Sequence, residues 1–136
     1  MQKTMVDRVL LICPLKLKAS QRGKKIYRIN FNEVIALNYM TYNNLKRAYC
    51  GHMADQLEDI MIKSPVTVSY RVYKASNRKL DKMNVISITS KFLMDAITHW
   101  GCWEDDNDDV IKNEILLPTK LDRDYPRVEV LIKTIK

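Results

Sequence analysis

The chain is poor in the residues that covalent staples and cofactor loops require. Its three cysteines, Cys13, Cys50 and Cys102, are an odd number, and none sits in a Cys-x-x-Cys spacing. They are expected to be free thiols in a reducing compartment. Cys50 and His52 could be grouped with His99 and Cys102 as a zinc site. Neither pair has the spacing of a zinc finger, so core cysteines are the expectation. No stretch approaches about 20 uninterrupted apolar residues, the length a transmembrane helix needs. Charged residues stand at Lys3, Asp7 and Arg8, where a secretory leader would need an apolar region, so a cytoplasmic location is expected. A Ser-His-Asp triad, a P-loop and a dinucleotide fingerprint are all missing, and no small-molecule substrate is expected. There is no internal repeat and no low-complexity segment.

What is present is an ordinary globular composition with uneven charge. The 136 residues are 46% hydrophobic and 29% charged, enough for a real core, and a single domain over 1–136 is expected. Net charge is +7. Residues 1–80 hold 15 Lys/Arg against 5 Asp/Glu, a net of +10, whereas residues 81–136 hold 8 against 11, a net of −3. A basic half points to a polyanionic partner, and charge alone does not separate DNA, RNA and an acidic protein.

Hydrophobic periodicity predicts strands over 6–13, stopped by Pro14, and over 26–29, with a basic loop between them. That loop carries Lys16, Lys18, Arg22, Lys24 and Lys25. A long helix is predicted from Glu33 towards Met61, capped by Asn30 or Asn32 and loosened at Gly51. Pro65 opens a strand in which Val66, Val68, Tyr70 and Val72 share one face. A second helix, about 83–100, sets Val85, Ile88, Phe92, Leu93, Ala96, Ile97 and Trp100 on one stripe. Asn84, Ser87, Lys91 and Asp95 fall on another. Two closing strands follow, 110–116 and 128–135. The sum is an α+β fold, a mixed or antiparallel sheet with two main helices packed on it.

The densest chemical feature is Glu104-Asp105-Asp106-Asn107-Asp108-Asp109, five acids in six residues. An EF-hand starting at Asp105 fails, because Val110 stands at the glycine position and Leu116 at the glutamate position. The remaining readings are a solvated acidic turn and part of a magnesium site for phosphodiester chemistry, with Asp81 as partner carboxylate. Lys91 could hold the scissile phosphate, or form an ordinary i,i+4 surface pair with Asp95.

Residues 78–135 resemble the RusA family of Holliday-junction resolvases. In that family a basic run leads into Asp-x-Asp-Asn at the mouth of a helix. The helix bears a lysine and an Asp-Ala-Leu step, and a glycine, an Asp-Asp pair and a strand follow. This chain has Arg78-Lys79-Leu80-Asp81-Lys82-Met83-Asn84, then Lys91, Asp95-Ala96-Ile97, Gly101, Asp105-Asp106 and Val110. Leu117-Pro118-Thr119-Lys120 and Arg127-Val128-Glu129-Val130 are similar to the family's final hairpin. Upstream the likeness is looser. Met83 stands where the family has its second aspartate, and a thioether is a poor Mg²⁺ ligand. Lys91 follows the asparagine by seven residues instead of three, which is about one extra helical turn and keeps it on nearly the same face.

The resemblance implies a RusA-like homodimer that acts on branched DNA such as a four-way junction, in a bacterial host cytoplasm if phage or prophage encoded. Mg²⁺, or Mn²⁺ in its place, would be held by Asp81 and Asp106, with Asn84, Asp105 or a water filling the gap left at Met83. Asp105 would assist, Lys91 would steady the phosphate, and metal-activated water would hydrolyse the backbone. Lys16, Lys18, Arg22, Lys24, Lys25, Arg78 and Lys79 would grip flanking phosphates. The alternatives are a RusA-like binder of branched DNA without catalysis, signalled by Met83, and a basic adaptor for an acidic protein.

Overall fold

The computed structural model describes residues 2–136. It is an α+β fold with a mixed sheet, as expected, and its strands are more numerous and shorter than periodicity suggests. The predicted strand over 6–13 is two: β1 (Thr4–Val6) and β2 (Arg8–Cys13). The chain changes partners at Asp7. β1 runs parallel to β5 (Ile60–Ile62), whereas β2 pairs antiparallel with β9 (Arg127–Thr134). The basic stretch after Pro14 is not all loop, because β3 (Lys16–Lys18) forms a hairpin with β4 (Ile26–Arg28).

The long helix expected over 33–61 is broken into three. α1 (Phe31–Ile35), α2 (Tyr39–His52) and α3 (Ala54–Leu57) follow one another before β5 begins. Asparagines make the first break: Asn30 caps α1, and Asn38 caps α2 by accepting from the Thr41 N–H at 2.8 Å. Such local side-chain bonds compete with helix continuation. Gly51 does not interrupt α2, which runs through it.

β6 (Val66–Lys74) keeps its predicted alternation, with Val66, Val68, Tyr70 and Val72 buried. It is the centre of a sheet ordered β2-β9-β6-β7, where β7 (Ile111–Leu116) lies parallel to β6. β8 (Lys120–Leu121) adds to β6 beyond the end of β7. The inner face presents Leu11, Val68, Tyr70, Val130 and Ile132 to α4 (Lys82–His99). Half of α4 is buried, including Val85, Ile88, Phe92, Leu93 and Ile97. α2 packs across it, with Tyr42 and Tyr49 meeting the Phe92 ring edge-on at 5.7 and 5.5 Å. Gly101, at φ +71°, ends α4: the Cys102 N–H reaches back to the Ile97 carbonyl and the Gly101 N–H to that of Thr98. Among the described residues, no helix is long and apolar enough to cross a membrane.

One sheet edge is clamped. The Gln56 side chain accepts from the Ile12 N–H and donates to the Ile12 carbonyl, both at 2.8 Å, standing in for a neighbouring strand at the outer side of β2.

Candidate nucleic-acid interface

The β3–β4 hairpin has two unlike faces. Leu17 and Tyr27 are paired in register and pack against the core. Strand alternation therefore turns Lys16, Lys18 and Arg28 outwards, with Lys16 directly opposite Arg28. The connecting loop carries Arg22, Lys24 and Lys25, all exposed, and Lys25 Nζ lies 5.0 Å from the Tyr27 ring centre.

Beside the hairpin, β6 ends in Lys74 and turns into α4. The Lys74 ammonium donates to the Arg78 carbonyl at 3.0 Å, which holds that turn closed. Between turn and hairpin lies a hollow of about 330 Å³. Its rim carries Lys16, Arg28, Lys74, Arg78 and Lys79, and its floor is the core residues Ile29, Val72 and Val85. Of these five cations, Arg28 alone has a carboxylate within 4 Å among the described residues, Glu33 at 3.8 Å. The hollow lies beside the α4 N-terminus, where the Asp81 carboxylate caps the helix and offsets its dipole. The array of cations attracts phosphate strongly.

The structure thus brings together three expected contacts, Lys16, Arg78 and Lys79, and keeps Lys18, Arg22, Lys24 and Lys25 on the adjoining hairpin. Lys18 lines a second, open groove with Arg47 and His52. Sequence reading missed Arg28 and Lys74. The inward Tyr27 was the available signal for Arg28. Lys74 could be placed only once the turn after β6 was folded.

The predicted metal ligands are not brought together within one chain. Asp81 is the N-cap of α4, its Oδ1 accepting from the Met83 N–H at 3.1 Å. Asn84 Oδ1 accepts from the Asn32 N–H at 3.0 Å and ties α1 to α4. Asp105 and Asp106 lie past the other end of the helix, whose 18 residues rise about 27 Å. Asp81 and Asp106 of one chain therefore do not fit a single Mg²⁺, whose ligands stand about 2.0–2.1 Å away. Lys91 is on the exposed side of α4, with Nζ 5.9 Å from the Tyr42 ring centre. Of the two readings of Lys91, the pair with Asp95 does not form, because Asp95 is bonded to Lys46 of α2 at 2.9 Å.

The acidic turn is locally ordered. The Asp106 N–H donates to Asp105 Oδ1 at 2.8 Å, and the Asp109 N–H to Asn107 Oδ1 at 2.9 Å. Burial and the neighbouring Asp105 raise the Asp106 carboxyl above the usual aspartate value, whereas bonds from Asp106 lower that of Asp105. Met83 is 52% exposed and lines a groove of about 290 Å³ beside Glu114, Ser87 and Leu116. There Glu114 Oε1 accepts from the Tyr70 hydroxyl at 2.7 Å and from Ser90 at 3.3 Å. The zinc grouping is not formed either. Cys102 is fully buried with Sγ 3.0 Å from the Leu57 carbonyl, while His99 is exposed. Burial pushes the Cys13 thiol up to about 12, which suits an inert core cysteine. No protein-family model matches the chain, and no curated protein matches it.

Proposed function

We propose that the protein binds branched DNA, with the cationic hollow between the β3–β4 hairpin and the start of α4 as its principal phosphate contact. The observation that carries this reading is the convergence of five cations on one hollow, four of them without an acid partner within 4 Å among the described residues. The resemblance of residues 78–135 to the RusA family supplies the preference for junctions and the homodimer, and a bacterial cytoplasm suits such a substrate. A four-way junction has two symmetric cleavage points, which a twofold dimer matches. The test is fluorescence anisotropy with a four-way junction and a linear duplex of the same sequence across a salt series. Tighter binding to the junction, weakening steeply with salt, is the expected result. Equal affinity for both removes the junction reading. Weak, salt-insensitive binding to both leaves the basic adaptor for an acidic protein.

A second reading, Mg²⁺- or Mn²⁺-dependent cleavage of the bound junction, rests on the RusA resemblance, with the adjacent carboxylates Asp105 and Asp106 as its ligands. It requires carboxylates from two chains, since Asp81 and Asp106 of one chain lie at opposite ends of α4. Incubation of the junction with the protein in Mg²⁺, Mn²⁺ or EDTA, scored for symmetric nicks, tests it.

A further inference from the structure

The two edges of the main sheet are treated differently. Gln56 occupies the backbone groups of Ile12 at the β2 edge. The β7 edge has no such cover among the described residues. It contains no proline, and its Ile115 and Leu116 are 45% and 38% exposed. An open, partly apolar edge strand is a template for another strand.

The direction of its free groups follows from one bond. The Leu117 N–H donates to the Tyr70 carbonyl of β6. By strand alternation Ile115 and Asn113 also turn their backbone groups to β6, so Glu114 and Leu116 turn theirs outwards. Lys112 is the extra residue where the register between β6 and β7 shifts. Its carbonyl lies in the same peptide as the Asn113 N–H and so points the opposite way, outwards.

From this edge we infer that two copies of the chain join β7 to β7 antiparallel about a twofold axis at Asn113, with Lys112 of each opposite Glu114 of the other. Each Glu114 N–H then donates to the Lys112 carbonyl of the second copy. Charge selects this register. A slide of two residues one way sets Glu114 against Glu114, the other way Lys112 against Lys112, and like charges directly opposite are destabilising. A slide of one residue sets outward groups against inward ones.

The flanks agree. The acidic run 104–109 precedes β7 in each copy. At the far end of β7 stand two lysines, Lys82, whose ammonium donates to the Leu117 carbonyl at 3.2 Å, and Lys120 of β8. Antiparallel joining lays the acidic run of one copy beside these lysines of the other. Within one chain the cluster has one ion pair among the described residues, Asp109 with Lys112 at 4.0 Å and both exposed, and the lysines of the second copy add opposite charge to it. The groove of Met83 and Leu116 lies along the same edge and adds apolar area.

The inference deepens the homodimer of the proposed function, and its test does not use DNA. Sedimentation equilibrium of the wild type is expected to give twice the chain mass of 16.0 kDa, with dimerisation weakening as salt rises. Lys112→Glu is expected to weaken dimerisation at least tenfold and to leave far-UV circular dichroism unchanged. Glu114→Lys, which also removes the bonds to Tyr70 and Ser90, is the less clean partner variant. The double variant Lys112→Glu/Glu114→Lys exchanges both charges and is expected to restore dimerisation. A monomeric wild type, a Lys112→Glu variant that dimerises like wild type, or a folded double variant that stays monomeric overturns the inference. None of these results bears on the cationic hollow, whose own failure would be read by the anisotropy series.

Discussion

Asp81 and Asp106 are held apart by the helix that connects them. Asp81 closes the first turn of α4 by accepting from the Met83 N–H, and Asp106 follows the glycine that ends it. A rigid helix with half its residues in the core leaves little freedom to shorten that separation. Any chemistry that needs both carboxylates at one phosphate must draw them from different chains.

The cationic hollow gives the first prediction. Replacing Lys16, Arg78 and Lys79 together by Gln should weaken junction binding at about 100 mM salt and lower the slope of log K against log salt by about 2.7, at about 0.9 per phosphate contact. Stability should barely change, because all three side chains are exposed. Anisotropy titrations at several salt concentrations check it, and an unchanged slope would move the interface elsewhere.

Asp106 gives a prediction in pH. Its carboxyl is raised by burial and by Asp105. A raised acid binds its proton more tightly in the folded state, so it destabilises the fold once ionised. That stability is present at low pH and is lost as pH rises from the ordinary aspartate value through the raised one. Asp106→Asn should therefore raise the melting temperature near neutral pH and leave it nearly unchanged at about pH 3. If the protein cleaves junctions, the same variant should abolish nicking while binding stays as tight or tightens. Equal melting shifts at both pH values would mean that ionisation of Asp106 is not opposed by the fold.

Met83 is where the chain departs from the RusA pattern, and its place in the groove makes a defined outcome. Met83→Asp puts a carboxylate in the first turn of α4, favourable by about 0.3–1 kcal/mol, and near Glu114, which opposes it. The melting temperature should move by no more than about 4 °C, since 1 kcal/mol corresponds to that scale for a chain of this size. Mg²⁺ should not change the result in the monomer, because Asp106 is at the far end of α4. A large loss repaired by Mg²⁺ would show that Met83 faces the metal ligands after all.

Two buried tyrosines make a paired test. The Tyr70 hydroxyl is bonded to Ser90 and Glu114, whereas the buried Tyr49 hydroxyl faces only the weakly bonding Cys13 thiol among the described residues. Tyr70→Phe should cost about 0.5–1.5 kcal/mol. Tyr49→Phe should be neutral or stabilising, since it removes a buried polar atom that gains little from its surroundings. Urea unfolding of the two variants separates these outcomes.

The elements most legible in the sequence were those with long, uninterrupted periodicity. The β6 alternation and the α4 stripe appear where the residues put them, because each face meets one environment along its whole length. The stretch 33–61 misled because its apolar residues suit a helix while Asn38 caps a new one and residues 60–62 pair with a strand more than fifty positions away. The charge asymmetry pointed to a basic surface, and Lys16, Arg78 and Lys79, named from the sequence, do line one hollow. Arg28 and Lys74 belong to the same hollow through the fold alone. The carboxylates were grouped on an expected fold-back and on the RusA pattern, and α4, as a straight rod, keeps them apart within one chain.

Gln56 bears on how large an assembly this sheet can build. A sheet with two open edges adds copies without limit and grows into a fibre. With β2 held at Ile12, the main sheet keeps β7 as its more open edge, and the joint inferred above would consume it. Growth of the main sheet by that joint would then stop at a closed pair. Cutting the clamp with Gln56→Ala is expected to free a second edge and to favour species larger than a pair.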